Sequence, residues 1–198
     1  MNERRAGLSP SSDVTFCTIA ESTADAIRRV GPVADRHRLT IRSIDPDPRG
    51  ASIRSAAAHL GLSLPDPVEV ADVIHVSGAL DDDQRTRLAA AIADPLLQHA
   101  SWDPPQADGI EVTFLPGVTD TSADAVLHAA LQLGIELTTA ATARRIEFGG
   151  SVDADLADEV VRRVVANAVI ERWGHGLVEP PHLDDAPGHA DAELITIR

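Results

Sequence analysis

Histidine side chains near the C-terminal end are the first candidates for chemistry in this sequence. His175, His182 and His189 are spaced seven residues apart, and Asp184 and Asp185 lie beside them. Imidazole and carboxylate groups together can bind a transition metal ion. The same segment is acidic and rich in proline, which is typical of a solvated tail without the supporting hydrogen bonds that hold metal ligands in place. We therefore expect no metal site.

Two pairs of arginines offer a second kind of site. Arg144–Arg145 and Arg162–Arg163 could each bind a carboxylate or a phosphate, because guanidinium groups donate paired hydrogen bonds to such anions. The alternative is that both pairs are charges on an exposed strand or helix. His128 lies beside an apolar helical stripe, so we interpret it as a packing or surface residue rather than as a general base. The run Asp81–Asp83 lacks the spacing of a calcium-binding loop and suits a helix start.

The usual motifs of small enzymes are missing from the sequence. All 17 basic residues are arginine, so there is no lysine to grip a nucleotide phosphate or to form a Schiff base. The patterns Gly-x-Ser-x-Gly, His-Glu-x-x-His and Gly-x-Gly-x-x-Gly do not occur. Cys17 is the single cysteine, which excludes an internal disulfide and fits a reducing compartment. We expect no catalytic residue and no cofactor.

The balance of charge limits the possible partners. The 198 residues include 31 acidic and 17 basic side chains, for a formal net charge of −14. Nucleic acids and anionic membranes both require a basic face, so we expect neither as a partner. Apolar residues make up 43% of the chain, which is enough for a packed core. No apolar run of about 18 residues and no secretory signal is present, so we expect a cytoplasmic protein.

An internal repeat organises the chain. An ungapped shift of 73 residues lays Leu39–Leu97 over Val112–Ile170, with nine identical pairs and coinciding apolar positions along the whole overlap. In the second copy, Asp120 or Ser122 can cap a first helix that Gly134 ends, and Asp153 can start a second helix. Apolar and β-branched residues predict four strands in this copy. These are Ile110–Leu115, Ile135–Leu137, Ala143–Phe148 and Val169–Trp173.

The predicted fold class is α+β, with two tandem units of β-α-β-β-α-β, or ferredoxin-like, order. In this order an antiparallel sheet carries both helices on one face, and we expect the free faces of the two units to pack as an internal pseudo-dimer. The predicted boundaries are an N-terminal extension at 1–37 with a possible strand and helix, repeat 1 at 38–103, repeat 2 at 109–174, and an acidic tail at 175–198. A short polar connector at 104–108 joins the repeats.

Several motifs of repeat 2 resemble the PurS subunit of phosphoribosylformylglycinamidine synthase. The opening Ile110–Asp120 and the following Ala125–Leu131 are similar to the start of that family, and Arg145–Phe148 resembles its central strand. The ending Val165–Trp173 is similar to the family pattern Leu-Ala-Asn-x-Val-Ile-Glu-x-aromatic and is the most specific signal. Repeat 1 resembles the divergent copy at the N-terminus of fused forms of the synthetase, although Asp94–Pro95 replaces the asparagine-containing ending.

The resemblance implies a non-catalytic role. In that family the subunit bridges a large ATP-dependent synthetase, which activates the amide oxygen of formylglycinamide ribonucleotide, and a small glutaminase that releases ammonia. The resemblance also implies self-association, since free copies of the subunit dimerise. Our candidates for partner-interface residues are Arg145, Asn167, Glu171 and Trp173. The alternatives are that Asn167 and Glu171 are only a helix-ending cap and a strand-edge charge, and that Trp173 fills the contact between the repeats.

Other functional classes stay open at this point. A small-ligand sensor of the ACT type shares the β-α-β-β-α-β order and would bind its ligand in a polar pocket between paired modules. An assembly subunit would instead need an exposed apolar surface. An enzyme in its own right is the least favoured class, because neither predicted helix of a repeat presents an acid and base pair. The sequence does not distinguish a primary purine pathway from a specialised one.

Overall fold

The computed structural model describes residues 35–105 and 108–181. The predicted strand and helix of the N-terminal extension lie outside these residues, as do His182 and His189 of the acidic tail. The described part of the chain contains six strands and four helices. None of these helices is long and apolar enough to cross a membrane.

All six strands belong to one antiparallel sheet. Its spatial order is β3-β1-β2-β5-β4-β6, and each neighbouring pair is antiparallel. Repeat 1 supplies β1 to β3 and repeat 2 supplies β4 to β6, so each half of the sheet comes from one repeat. The strands are β1 Arg36–Ser43, β2 Val68–Ser77, β3 Gln98–Ser101, β4 Gly109–Phe114, β5 Thr139–Phe148 and β6 Glu171–His175.

Aspartate side chains begin all four helices. Asp47, Asp81, Asp120 and Asp153 each accept a hydrogen bond from a backbone N–H of the first turn, which satisfies a donor that the helix itself leaves free. Asp81 and Gln84 form a reciprocal capping box. The helices are α1 Pro48–His59, α2 Asp82–Ile92, α3 Thr121–Gln132 and α4 Ala154–Val160, which continues as a π-helical turn at Val161–Val165.

The spacing of 73 residues recurs in the element bounds. Helices α1 and α3 are 73 residues apart at both ends, and β1 and β4, like β3 and β6, begin 73 residues apart. Each half of the chain nevertheless has the order β-α-β-α-β, so the predicted β-α-β-β-α-β order is not found. Ile135–Leu137 is not a strand, and the predicted third strand begins earlier, at Thr139, and runs without a break to Phe148.

The two halves meet edge to edge rather than face to face. Strands β2 and β5 pair over ten residues, from Val68 opposite Phe148 to Ser77 opposite Thr139. This pairing gives each inner strand a full set of cross-strand hydrogen bonds and removes two exposed sheet edges. The expectation that the free faces of two separate sheets pack on each other was therefore wrong. We call the β2–β5 pairing the seam.

Apolar packing lies on one face of the sheet. Side chains alternate between faces along a strand, and the strand residues of both apolar clusters share one face with the helices. In one cluster Leu39 and Ile74 pack with Leu88 of α2 and Val126 of α3. In the other, Ile110, Val112 and Ile146 pack with Ala157 and Val161. We call this the helix face and the opposite side the polar face.

Candidate functional site

The polar face carries all the buried polar side chains of the described residues. Strand register places each of them opposite another residue of the same face, away from the helices. A sheet face with this composition requires hydrogen-bond partners for every charge, because an unpaired buried charge is very costly. The residues are Thr40, His75, Ser77, Glu111, Thr113, Thr139, Arg145 and Glu147.

Glu111 on β4 is the centre of an ion-pair network on this face. Its side chain is completely buried. Both terminal nitrogens of Arg38 donate to its carboxylate, at 2.6 and 3.1 Å, and Arg145 Nη1 donates to Oε1 at 2.8 Å. The backbone N–H of Val178 donates to Oε2 at 2.8 Å. Each carboxylate oxygen is therefore fully engaged.

Glu147 on β5 extends the network. It accepts two hydrogen bonds from Arg42, at 2.6 and 2.8 Å, and one from Arg145 Nε at 2.6 Å. Burial acts to raise the pKa of Glu147, but the hydrogen bonds from the two guanidinium groups outweigh it and hold that pKa below its usual value. The hydrogen bond to Glu147 likewise raises the pKa of Arg42. Both groups are charged at neutral pH.

These ion pairs link the two repeats to each other. Arg38 and Arg42 lie on β1, whereas their partners Glu111 and Glu147 lie on β4 and β5. Arg38 and Glu111 even occupy equivalent repeat positions, 73 residues apart. The same position of the repeat unit is therefore an arginine in repeat 1 and a glutamate in repeat 2. This network has a structural role. Arginines pair with both carboxylates, so neither Glu111 nor Glu147 is available as a general base.

His75 on β2 lies next to this network and is 8% exposed. Burial is the main cause that lowers its pKa to about 4; the nearby positive charge of Arg38 acts in the same direction, and the negative charge of Glu111 opposes the shift. Its Nε2 atom has no hydrogen-bond partner among residues 35–105 and 108–181. The imidazole is neutral at pH 7 and almost fully buried, which makes it a poor candidate for a proton shuttle to an external substrate.

The segment 176–181 crosses the polar face after β6. The carbonyl oxygen of Gly176 accepts a hydrogen bond from Arg145 Nη1 at 3.0 Å. Further along, the Glu179 carboxylate accepts from Arg36 at 2.7 Å, and its carbonyl oxygen accepts from Arg172 at 2.7 Å. The first part of the predicted acidic tail is therefore held against the sheet by arginines.

The four predicted interface residues do not form one surface. Arg145 is 1% exposed on the polar face, where it contacts Glu111 and Glu147. Asn167 lies in the segment before β6, and Glu171 is the first residue of that strand. The Asn167 backbone N–H donates to Glu171 Oε2 at 2.7 Å, and Asn167 Oδ1 accepts from Val169 N at 3.1 Å. An interface role for these two residues remains a prediction.

Trp173, the fourth candidate, is half-buried on the helix face. Its indole N–H donates to Asp158 Oδ1 at 3.1 Å, and its ring packs against the cluster around Ile110 and Val112. Trp102 of repeat 1 packs on the other apolar cluster. Trp102 follows the edge strand β3 and Trp173 lies on the opposite edge strand β6, so neither lies at the seam.

The two arginine pairs differ in their exposure and in their ion-pair partners. Arg162 and Arg163 are exposed on the π-helical turn that continues α4, and both pair with Glu159, as expected for charges on a helix surface. Neighbouring Arg144 and Arg145 point to opposite faces because they are adjacent on β5. Arg145 belongs to the polar network, whereas Arg144 lies on the helix face and pairs with Glu171 at 2.6 Å.

Two exposed apolar patches were not identified from the sequence. Patch A consists of Ile44, Leu96 and Leu97, and patch B consists of Val169 and Ile170. Leu96 is 83% exposed and Val169 is 82% exposed. The signal that could have found them is the repeat itself, because Leu96–Leu97 and Val169–Ile170 are equivalent positions, 73 residues apart, and both pairs are apolar.

The patches lie at diagonally opposite corners of the sheet. In patch A the Ile44 N–H donates to the Leu97 carbonyl oxygen at 2.9 Å, where β1 ends and β3 is about to begin. Patch B has the equivalent bond from Leu115 N to Ile170 O, also 2.9 Å, after β4 and before β6. Three antiparallel pairings separate β1 from β4, so these strands run in opposite directions and end at opposite edges.

Other candidate residues have local explanations. His128 is exposed on α3, and its Nε2 lies 2.9 Å from Gln132 Nε2. Within residues 35–105 and 108–181, no group of three or more His, Cys, Asp or Glu side chains converges as metal ligands. Comparison of the chain with protein-family models gives no match, and comparison with curated proteins gives none either. Function must therefore be inferred from the geometry and from the resemblance of the motifs.

Proposed function

We propose that this chain is a non-catalytic assembly subunit that joins the ATP-dependent synthetase and the glutaminase of a phosphoribosylformylglycinamidine synthase. The pathway is primary purine biosynthesis or a specialised route with the same chemistry. The observation that carries this proposal is the presence of patches A and B at repeat-related positions on opposite corners of one sheet. A bridge between two proteins needs two separate contact surfaces of this kind.

The exposed leucines and branched residues support contact with proteins. Large apolar side chains that stay in water on a protein surface are typical of contact sites when they are grouped and bordered by polar groups. Patch B has Asn167 and Glu171 as such a border, and these are two of the residues that the PurS-like ending contains. Patch A and patch B are different in sequence, so each can select a different partner.

The charged groups of the described residues support the absence of catalysis. Glu111 and Glu147 are neutralised by arginines on the polar face, and the neutral His75 is buried beside them. A general acid or base must instead reach a substrate from a cleft. The sensor alternative predicts a polar pocket between the modules. Patches A and B are the exposed apolar surfaces that an assembly subunit needs, and a pocket between the modules is compatible with them.

The test is a reconstitution with the cognate synthetase and glutaminase. The assay measures amidation of formylglycinamide ribonucleotide with glutamine or with ammonia as the nitrogen source. We expect the chain to be required for the glutamine-dependent reaction and to affect the ammonia-dependent reaction much less. Replacing Leu96 or Val169 by aspartate places a charge in patch A or patch B, and each variant should lose one partner in a pull-down while retaining the other.

Leu131 provides a matched control. It is 73% exposed on α3, outside both patches, so Leu131→Asp changes the same kind of side chain without altering either corner. This variant should support the glutamine-dependent reaction at the wild-type rate. Full activity of the reconstituted enzymes without the chain, or equal binding of both partners by all three variants, would contradict the proposal.

A further inference from the structure

A cavity of about 590 Å³ lies over the seam on the helix face, and we call it the seam cleft. Its floor is formed by β2 and β5, with Asp72 directly opposite Arg144. Ile92 of α2 and Ala125 of α3 line its walls, and Phe114 of β4 closes one side. A volume of this size is typical of small-molecule sites that combine apolar walls with a few polar groups.

Arg144 brings unused hydrogen-bond donors to this cleft. Its side chain is 39% exposed and is anchored only through Nη2, which donates to Glu171 Oε1 at 2.6 Å and to the Val165 carbonyl oxygen at 3.4 Å. Its Nε and Nη1 atoms have no partner among the described residues. Gln98 lines the cleft as well. Its oxygen accepts from Asp94 N, and its amide nitrogen makes no hydrogen bond within the described part of the chain.

The carboxylates around the cleft have their oxygens occupied. Both oxygens of Asp72 accept from Arg49, at 2.7 and 3.1 Å. Asp120 accepts from Ala123 N and from the backbone and side chain of Thr142, and Glu171 accepts from Arg144 and Asn167. The free polar groups of the cleft are therefore mainly donors, and they face apolar walls.

We infer that the seam cleft binds an organic carboxylate with an apolar body, whose carboxylate accepts hydrogen bonds from Arg144. The chemistry follows from the lining: a planar guanidinium with unused donors pairs with a carboxylate, and the apolar body replaces water against Ile92 and Phe114. The carboxylates around the cleft already accept hydrogen bonds from an arginine, a threonine or backbone N–H groups, which leaves little capacity for a cationic ligand. This inference does not depend on the assembly role.

The experiment compares an acid with its neutral amide on the full chain. Calorimetric titrations with 4-phenylbutyrate and 4-phenylbutyramide use two probes of nearly equal shape that differ in charge. We expect the acid to bind roughly tenfold or more tightly than the amide, in line with a charge-assisted hydrogen bond. In Arg144→Gln the two probes should bind within about twofold of each other.

Two further variants keep the result interpretable. Ala125→Trp fills the cleft from an exposed helix position and should abolish binding of both probes while leaving Arg144 in place. Arg162→Gln removes an exposed arginine of the π-helical turn that continues α4 and should leave the acid preference unchanged. Circular dichroism and thermal unfolding establish that each variant is folded. Equal affinity of the wild-type chain for acid and amide, no saturable binding of either, or an undiminished acid preference in Arg144→Gln would overturn the inference.

Discussion

The buried carboxylate of Glu111 accepts hydrogen bonds from three residues on the polar face. It pairs with Arg38 and, together with Glu147, with Arg145, and it fixes the segment after β6 through Val178. Glu111→Gln preserves the shape but leaves buried guanidinium charge without its partner. We expect the free energy of unfolding to fall by about 3–5 kcal/mol, the usual cost of removing one member of a buried pair. Urea denaturation followed by circular dichroism measures this change.

Glu69 is the control for that substitution. It lies on β2, its side chain is 59% exposed, and its oxygen is 3.9 Å from Arg42. Glu69→Gln should change the free energy of unfolding by less than about 1 kcal/mol, because exposed ion pairs contribute little. Equal losses of stability in the two variants would show that burial of Glu111 does not determine its contribution.

The lowered pKa of His75 predicts that the folded chain loses stability in mildly acidic solution. Its pKa is about 4 in the folded chain, compared with about 6.5 for an exposed histidine. Between these values the unfolded chain binds a proton that the folded chain does not, so stability falls as the pH falls from 6.5 towards 4. The pKa difference corresponds to about 3 kcal/mol. Urea denaturation at a series of pH values measures the slope.

Replacement of His75 isolates this contribution. His75→Gln should flatten the dependence between pH 6.5 and 5, whereas the exposed His128→Gln should leave it unchanged. Loss of stability below about pH 4.5 should persist in both variants, because the lowered pKa values of Glu147 and Asp47 act there. A wild-type slope retained by His75→Gln would contradict the assignment.

At the scale of elements, the approach of α1 to the sheet depends on Gly50. A Cβ atom at this position would lie 1.7 Å from the carbonyl oxygen of Val68 on β2, so no side chain can be accommodated without moving the helix. We expect Gly50→Ala to lower the free energy of unfolding by at least about 2 kcal/mol, despite the better helix propensity of alanine. Thermal and urea unfolding both test this.

Gly150 gives the matched comparison. A Cβ atom there would meet its nearest neighbour, Pro65, at 3.5 Å, which is ordinary contact. Gly150→Ala should therefore be neutral within about 0.5 kcal/mol or slightly stabilising, since alanine restricts the unfolded chain. If both alanine variants were equally stable, the packing of α1 against β2 would be looser than the structure shows.

The helix starts could be predicted from the sequence, but the middle strand of repeat 2 could not. Asp120 and Asp153 signal caps locally, since capping needs only neighbouring residues. The stretch from Thr139 to Thr142 has little apolar character and falls between the two predicted strands Ile135–Leu137 and Ala143–Phe148. It is part of β5 because β2 supplies a partner along its entire length and Asp120 accepts hydrogen bonds from Thr142. Both contacts are long-range.

The candidate sites, too, could be predicted only in part, because burial and long-range partners depend on the fold. Alternation along β5 determines that Arg144 and Arg145 face opposite sides, yet only the fold shows which side is buried. The charge of Arg145 is matched by Glu111, which lies 34 residues away in the sequence. Patches A and B follow from the repeat combined with their exposure, and exposure is a property of the folded chain.

At the scale of the whole molecule, the two repeats are held together without help from the connector. Ten paired residues of β2 and β5 form the seam. Arg38 and Arg42 of repeat 1 pair with Glu111 and Glu147 of repeat 2 on the polar face. On the helix face, α2 and α3 contribute side chains to one apolar cluster. The seam, the polar face and the helix face therefore each contain contacts between the two repeats.

Cutting the connector tests this arrangement. With a protease site inserted between residues 105 and 108, the cleaved chain should elute from a sizing column at the position of the intact protein and separate into two fragments only in denaturant. The physical reason is that the seam pairs two strand edges whose backbone N–H and C=O groups would otherwise be exposed and prone to aggregation. Cleaved Glu111→Gln should separate at a lower urea concentration than cleaved Glu69→Gln, because only the former removes a buried link between the halves. Separation of the cleaved wild-type chain in buffer alone would mean that the connector, and not the seam, keeps the repeats together.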